Sequence, residues 1–407
     1  MHPLGFIRLL CCVGILTCFA FSQKQAVRYQ VYEESLLSSK QYANPLQDVQ
    51  VTVEITDPRG RKTEVDAFWD GFSVWKFRYM PRELGPHRYR IRCSDPNNGG
   101  LNAPEDTFTA VEYRGDNPFW KRGPITVSET RRQFAHADGT PFFLVSDTAW
   151  NGALLSDEEE WVRYLKERKQ QRFNTIQFVT TQWRAAYTDN EGQKAFDGID
   201  RITINPSFFQ RMDRHFELLN ENGFLGLPVI LWALTSNKRE SPGAVLPAEQ
   251  AIVLARYITA RYNAYHVMWF LGGDGDYRGE KSQRWKEIGR AVFPPERKTN
   301  LVSLHPGGMQ NPWPDLKDEP WIDFLNVQTG HGGDANKWKW NATEGVALGW
   351  KLEPPRPVFD SEPNYENHTI YGSEGVVDAY AVRRASWYSV LGAPPAGITY
   401  GTHGVWP

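Results

Sequence analysis

Two acidic residues in the second half of the chain combine a reactive group with a position where it could act. Asp274 follows the apolar stretch 267–271 and two glycines that would let a ligand approach the backbone, and Glu362 follows the segment 357–361. Glycosidic bond cleavage needs one carboxyl group that protonates the leaving oxygen and another that acts as nucleophile or activates water. We predict Asp274 as general acid/base and Glu362 as nucleophile, with carboxyl groups about 5 to 6 Å apart if the reaction retains configuration and nearer 9 Å if it inverts.

Other acidic side chains compete for these roles. Asp276 lies beside Asp274 in sequence, and strand alternation places Asp360 on the same side as Glu362 but deeper. Asp147 is expected to bind sugar hydroxyls or to orient an acid. A lone acidic residue at a strand end more often bonds a neighbouring loop, so it is the pair of Asp274 and Glu362 that indicates catalysis.

Polar and aromatic residues follow most of the other apolar segments, as in a sugar-binding pocket. Flat rings stack on the C–H faces of sugars, although most rings in any chain fill cores. The predicted substrate-binding residues are Asp147, Trp150, Gln182, Trp183, Trp232, Asp276, His305, Gln328, His331 and Tyr365. The histidines, His403 included, lack the spacing of a metal motif. Neither a metal nor another cofactor is expected, although three histidines from separate strands leave a metal site open.

Eight candidate strands alternate with amphipathic helical segments and would position these residues. They are 141–150, 173–181, 225–233, 266–274, 300–308, 322–331, 356–365 and 396–406. This order predicts a (β/α)8 TIM barrel over 123–407, with the active site at the carboxyl ends of the strands. A doubly wound sheet competes, but no Gly-rich loop follows the first strand. The eighth helix is missing after the last strand, so the barrel is expected to be truncated at its C-terminus.

The N-terminal part has a different pattern. Short alternating segments separated by turn residues predict an all-β, immunoglobulin-like sandwich domain over 25–112. Residues 1–22 have the charged, apolar and small-residue parts of a signal peptide, with lipidation of Cys18 as the alternative. Cys93 is then alone in the mature chain and is predicted to be a buried structural thiol. We expect a secreted or periplasmic protein without a transmembrane segment, associated with the cell surface if lipidated.

Composition limits the partners. The formal net charge is -2, from 46 Lys+Arg against 48 Asp+Glu, so no basic surface suited to nucleic acid is expected. Aromatic residues make up 14% of the chain, which agrees with a carbohydrate partner without requiring one. The oligomeric state stays open. The competing function is a carbohydrate-binding or cell-surface protein that has the same fold but does not catalyse a reaction.

Four stretches in the predicted barrel resemble a known family: 123–150, 267–276 (VMWFLGGDGD), 327–331 (VQTGH) and 357–367 (PVFDSEPNYEN). The family is the apiosidase-like glycoside hydrolases, family 140, and region 42–71 resembles the β-sandwich that precedes its barrel. The resemblance implies release of terminal apiose from pectic rhamnogalacturonan II or a related glycan. It also places the family's acid/base on Asp274 and its catalytic glutamate on Glu362.

The chain departs from that family in two places. Ser146 stands where relatives often have glycine, and the C-terminal module found in many relatives is not seen. The first departure is expected to be harmless, and the second leaves stability and substrate targeting open.

Overall fold

A computed structural model gives the fold of residues 24–234 and 241–405. The predicted signal segment and Trp406, at the end of the last predicted strand, lie outside the described residues. Among those described, no helix is both long enough and apolar enough to cross a bilayer.

The N-terminal region is rich in strands that form two sheets. Residues such as Val51, Val53 and Ile55 are buried while their neighbours are partly exposed, so one face of each strand packs inward. The sheets have the strand orders β1-β8-β7-β3-β4 and β2-β6-β5. The elements are β1 (Gln25–Val27), β2 (Tyr32–Leu37), α1 (Pro45–Asp48), β3 (Val51–Thr56), β4 (Lys62–Asp66), β5 (Phe68–Gly71), β6 (Val74–Tyr79), β7 (Gly85–Cys93) and β8 (Asp106–Val111).

A short connecting region joins this part to the next. It contains α2 (Pro118–Arg122) and a small antiparallel sheet of β9 (Ile125–Val127), β10 (Phe134–His136) and β11 (Pro141–Phe142). The first predicted barrel strand, 141–150, is therefore divided, because its first two residues belong to this small sheet.

The remainder alternates parallel strands with helices. Its first half contains β12 (Leu144–Thr148), α3 (Gly152–Leu155), α4 (Glu158–Gln170), β13 (Thr175–Val179), β14 (Phe196–Asp197), β15 (Thr203–Ile204), α5 (Pro206–Glu221), β16 (Leu225–Trp232), α6 (Pro242–Val245) and α7 (Ala248–Tyr262). Its second half contains β17 (Trp269–Gly275), α8 (Lys281–Val292), β18 (Val302–Pro306), α9 (Trp313–Leu316), β19 (Leu325–Val327), α10 (Ala335–Thr343), α11 (Gly345–Trp350), β20 (Val358–Asp360), α12 (Ala379–Gly392) and β21 (Gly397–Gly401).

The parallel strands form a curled sheet with the order β18-β17-β16-β13-β12-β21, and β19 pairs with β20. Backbone hydrogen bonds connect this pair to both ends of the sheet: Asp323 N donates to Val302 O at 2.9 Å, and Ala396 N donates to Val358 O at 2.8 Å. Every residue of β16 is buried, as expected for a strand covered on both faces. The carboxyl ends of the strands therefore gather at one end of the molecule.

A buried cluster of charges joins the N-terminal region to the helices around this sheet. The guanidinium of Arg78, on β6, donates two hydrogen bonds to the Asp213 carboxylate on α5, at 3.1 and 2.7 Å. Arg261, on α7, donates two more to the same carboxylate, each at 2.6 Å, and lies 2.7 Å from Asp70 of the N-terminal region. The two arginines hold the pKa of Asp213 at about 2 against the effect of burial, so the carboxylate stays charged.

We expect Asp213→Ala to lower the free energy of unfolding by about 3 to 5 kcal/mol, because it leaves two buried guanidinium groups without their shared carboxylate. Urea unfolding monitored by tryptophan fluorescence measures this change. The neighbouring Arg214→Ala is the matched control, since the Arg214 side chain is 38% exposed and its ion pairs lie at the surface. Its effect should stay within about 0.5 kcal/mol. Equal effects of the two substitutions would contradict the structural role of the cluster.

Candidate active site

Asp274 lies at the carboxyl end of β17 with a backbone φ of 52°, a conformation that non-glycine residues rarely adopt. The two glycines before it are needed for packing. A Cβ on Gly273 would lie 2.5 Å from the Trp232 ring, and one on Gly272 would lie 2.6 Å from the Trp285 ring. Their small size therefore lets aromatic rings pack against the strand, and the approach of a ligand to their backbone stays a prediction.

Two histidines surround the Glu362 carboxylate. His331 Nε2 lies 2.9 Å from Oε1, and His305 Nε2 lies 3.4 Å from Oε2. The backbone N–H of Tyr365 donates to His331 Nδ1 at 3.4 Å, so Nδ1 is the acceptor and Nε2 carries the hydrogen. Burial lowers the pKa of His331 to about 4, and the ring is neutral at neutral pH. His331 therefore donates a hydrogen bond to Glu362 without adding a charge.

Asp274 and Glu362 are electrostatically coupled. Burial, together with the charge of Glu362, raises the pKa of Asp274 to about 7. Arg184, His331 and Gln328 act in the opposite direction, and Arg184 Nη2 lies 3.9 Å from Asp274 Oδ2. Burial also raises the pKa of Glu362, while His305 opposes that shift. The site thus combines a carboxyl group whose pKa is about 7 with a second buried carboxyl group that accepts a hydrogen bond from His331.

Arg184 was missed from the sequence. It follows Gln182 and Trp183, two predicted binding residues, a few residues beyond the end of β13. Its position after a strand is the signal in the sequence that points to it, because cations as well as amides and rings occupy strand ends at a sugar site.

Asp147 and Asp276, both predicted to bind sugar, are paired with other side chains of the protein. Asp147 accepts a hydrogen bond from Tyr164 Oη at 2.6 Å and pairs with Arg168, both on α4. Asp276 is paired at 2.8 Å with each of Arg278 and Lys281, which lower the pKa of its carboxyl group.

Gln182 also has internal partners for both ends of its amide. Its Nε2 donates to Phe196 O at 2.8 Å, and its Oε1 accepts from Ala195 N at 2.9 Å. The amide thus holds the loop that precedes β14.

The predicted stacking residues lie close together but are enclosed. Trp150, Trp183, Trp232 and Tyr365 are each at most 1% exposed. The Trp232 ring is 4.4 Å from that of Trp183 and 5.2 Å from that of Trp150, and Trp150 also meets His305 edge to face at 5.3 Å. The three indole rings form a wall behind His305, which lies beside Glu362, whereas the Tyr365 ring packs against His331.

Asp360, the rival of Glu362, faces a different environment. Its carboxylate accepts hydrogen bonds from Thr329 Oγ1 at 2.8 Å and from Ser389 Oγ, on α12, at 2.9 Å. The expectation that Asp360 and Glu362 share one side is wrong, because β20 ends at Asp360 and strand alternation no longer applies beyond it.

The histidines do not form a metal site within the described part of the chain. His403 lies nearest to His368, with ring centroids 6.3 Å apart, and His368 stacks on His331 at 4.3 Å. Across 24–234 and 241–405, no group of three or more His, Cys, Asp or Glu side chains has an arrangement suited to hold a metal ion.

Known proteins resemble this chain in both sequence family and fold. A family model described as Apiosidase-like, catalytic domain, matches residues 128–407, and a domain of unknown function, DUF5060, matches residues 25–94. No curated protein matches the chain.

Solved structures show a similar fold. A candidate glycoside hydrolase from Bacteroides vulgatus ATCC 8482 is 20% identical, with a TM-score of 0.76 over 95% of this chain and 74% of that one. A family 5 glycoside hydrolase from the same organism is 23% identical, with a TM-score of 0.61 over 70% of this chain and 64% of that one. Another glycoside hydrolase is 25% identical, with a TM-score of 0.61 over 72% and 68%. The fold is thus a (β/α)-barrel-like domain behind a strand-rich region.

The raised pKa of Asp274 predicts a pH-dependent effect on stability. Its value in the folded protein, about 7, exceeds that of an unfolded aspartate, so the stability from the protonated form is lost as pH rises through about 7. Asp274→Asn removes the buried charge, and we expect a higher thermal midpoint than wild type at pH 8, with a smaller difference at pH 5.

Calorimetry at both pH values measures this effect. Asp276→Asn is the control: it removes ion pairs with Arg278 and Lys281 and should give no gain at pH 8. An equal gain at both pH values for Asp274→Asn would contradict the buried charge.

Proposed function

The chain belongs to the apiosidase-like glycoside hydrolases, and we propose that it releases a terminal sugar, apiose, from a pectic or related glycan. The observation that carries this proposal is the buried pair Asp274 and Glu362, with one proton held near neutral pH and one carboxylate available. A glycosidase needs these two protonation states at the same time.

In the proposed mechanism, Glu362 attacks the anomeric carbon while Asp274 protonates the leaving oxygen. The hydrogen bond from His331 Nε2 keeps the carboxylate anionic and orients it. After the leaving group departs, Asp274 is ionised and takes a proton from water, which then attacks the glycosyl-enzyme intermediate. Net configuration is retained. His305 and Gln328, which lie beside these carboxyl groups, are proposed to bind sugar hydroxyls, and no cofactor takes part.

The proposal extends to the architecture. We infer that β19 and β20 complete a closed (β/α)8 barrel over 123–407, supported by their hydrogen bonds to both ends of the curled sheet. The two sheets of 25–112 are proposed to form an immunoglobulin-like sandwich. Secretion is proposed from the signal-peptide pattern of residues 1–22.

Incubation with rhamnogalacturonan II oligosaccharides tests the substrate. We expect apiose among the released monosaccharides, identified by chromatography and mass spectrometry. Glu362→Gln, which keeps the size of the side chain but lacks its charge, should release nothing. Binding of the oligosaccharide without any released sugar would favour a non-catalytic carbohydrate-binding protein, and release of another sugar would contradict apiose alone.

The two carboxyl groups should respond differently to mutation. Glu362→Ala should abolish turnover, because no covalent intermediate forms. Asp274→Ala should retain first-step activity on an aryl glycoside of the accepted sugar, since an activated phenolate leaves without protonation. Azide should accelerate this variant and give a glycosyl azide of retained configuration, measured by NMR. Rescue of Asp274→Ala with inverted configuration, and no rescue of Glu362→Ala, would reverse the two roles.

A further inference from the structure

The aromatic residues predicted to stack on sugar are enclosed, so another ring must contact the rest of the glycan. Trp150, Trp183, Trp232 and Tyr365 are at most 1% exposed, so none of them offers an open face. Sugar stacking requires a ring face that solvent can reach. Tyr371 has such a ring, with 60% of its surface exposed.

Tyr371 lies beside His331, the residue that bonds Glu362. Its backbone N–H donates to His331 O at 3.1 Å, and its ring meets the His331 ring edge to face, with centroids 5.6 Å apart. The His368 ring supports it from another direction at 5.2 Å, with the ring planes 88° apart. Burial and the charge of Glu362 raise the pKa of the phenol, as expected for a ring near that carboxylate.

The backbone around Tyr371 fixes the position of the ring. Thr369 and Val376 form an antiparallel bridge, and Ile370 N donates to Gly375 O at 3.1 Å. A parallel bridge pairs Tyr371 with Gly332, next to His331. The ring is thus held by a short hairpin that is attached to the segment carrying His331.

We propose that Tyr371 is the stacking platform for the sugar unit that leaves, at the mouth of the site. This inference rests on the proposed function. Glu362 is only 7% exposed, so the sugar whose anomeric carbon it attacks lies inside the pocket, and the leaving part of the glycan extends outward. Tyr371 is exposed and contacts His331, so it offers a ring on the solvent side of Glu362, and its apolar face suits the C–H face of a pyranose. It acts as a specificity-determining residue for the oligosaccharide.

Product inhibition distinguishes binding at the mouth of the site from binding in its interior. The two probes are free apiose, which occupies the interior, and the rhamnogalacturonan II oligosaccharide from which apiose has been removed, which occupies the mouth. Tyr371→Ala should raise the Ki of the trimmed oligosaccharide about tenfold and leave the Ki of apiose unchanged. Tyr371→Phe keeps the ring and should behave like wild type. Tyr380→Ala, at a 62% exposed ring on α12, is the matched control and should change neither Ki.

Three results would contradict the proposal that Tyr371 is a stacking platform. An unchanged Ki for the trimmed oligosaccharide in Tyr371→Ala would exclude stacking. A rise in both Ki values would show that Tyr371 only supports His331. A loss in Tyr371→Phe equal to that in Tyr371→Ala would assign the effect to the hydroxyl. Sugar release by the wild-type protein is measured before any variant is compared. If the wild type releases no sugar, the proposed function is contradicted, and the role of Tyr371 is not what failed.

Discussion

The site depends on the repulsion between two buried carboxyl groups that cannot both ionise easily. Removal from water disfavours each charge, and the charge of Glu362 further raises the pKa of Asp274. One proton therefore stays in the site near neutral pH. Arg184 lowers the pKa of both carboxyl groups, and its Nη2 lies 3.9 Å from Asp274 Oδ2. His305 and the hydrogen bond from His331 stabilise the charged form of Glu362, and that charge in turn raises the pKa of Asp274.

Burial and nearby charges also act on a carboxyl group at the contact between the N-terminal region and the helices around the sheet, but there their net effect lowers its pKa. Asp213 is also buried, but two guanidinium groups each donate two hydrogen bonds to it, and its pKa is about 2. A fully paired carboxylate stays charged and joins elements, whereas the incompletely paired Asp274 has a pKa in the range that proton transfer requires. The number and geometry of the cations, more than burial itself, separate Asp213, which stays charged, from Asp274, whose pKa is about 7.

The aromatic residues near the site divide in a similar way. Trp150 and Trp232 pack around His305 and hold it beside Glu362, and Gly273 has no side chain because the Trp232 ring occupies that space. Exposed Tyr371 is held by the backbone and rings of the histidine segment. The enclosed rings pack around His305, which lies beside Glu362, whereas the ring of Tyr371 is left exposed.

The sequence by itself indicated the alternation of strands and helices and singled out Asp274 and Glu362 as candidates, because hydrophobic periodicity and strand ends are local features. Only the tertiary structure decided where side chains point and what they bind. Asp147 and Gln182 passed the strand-end test, yet one pairs with Arg168 and the other bonds a loop backbone. These contacts join residues that are distant along the chain or depend on the path of a loop after its strand, and residue spacing contains neither kind of information.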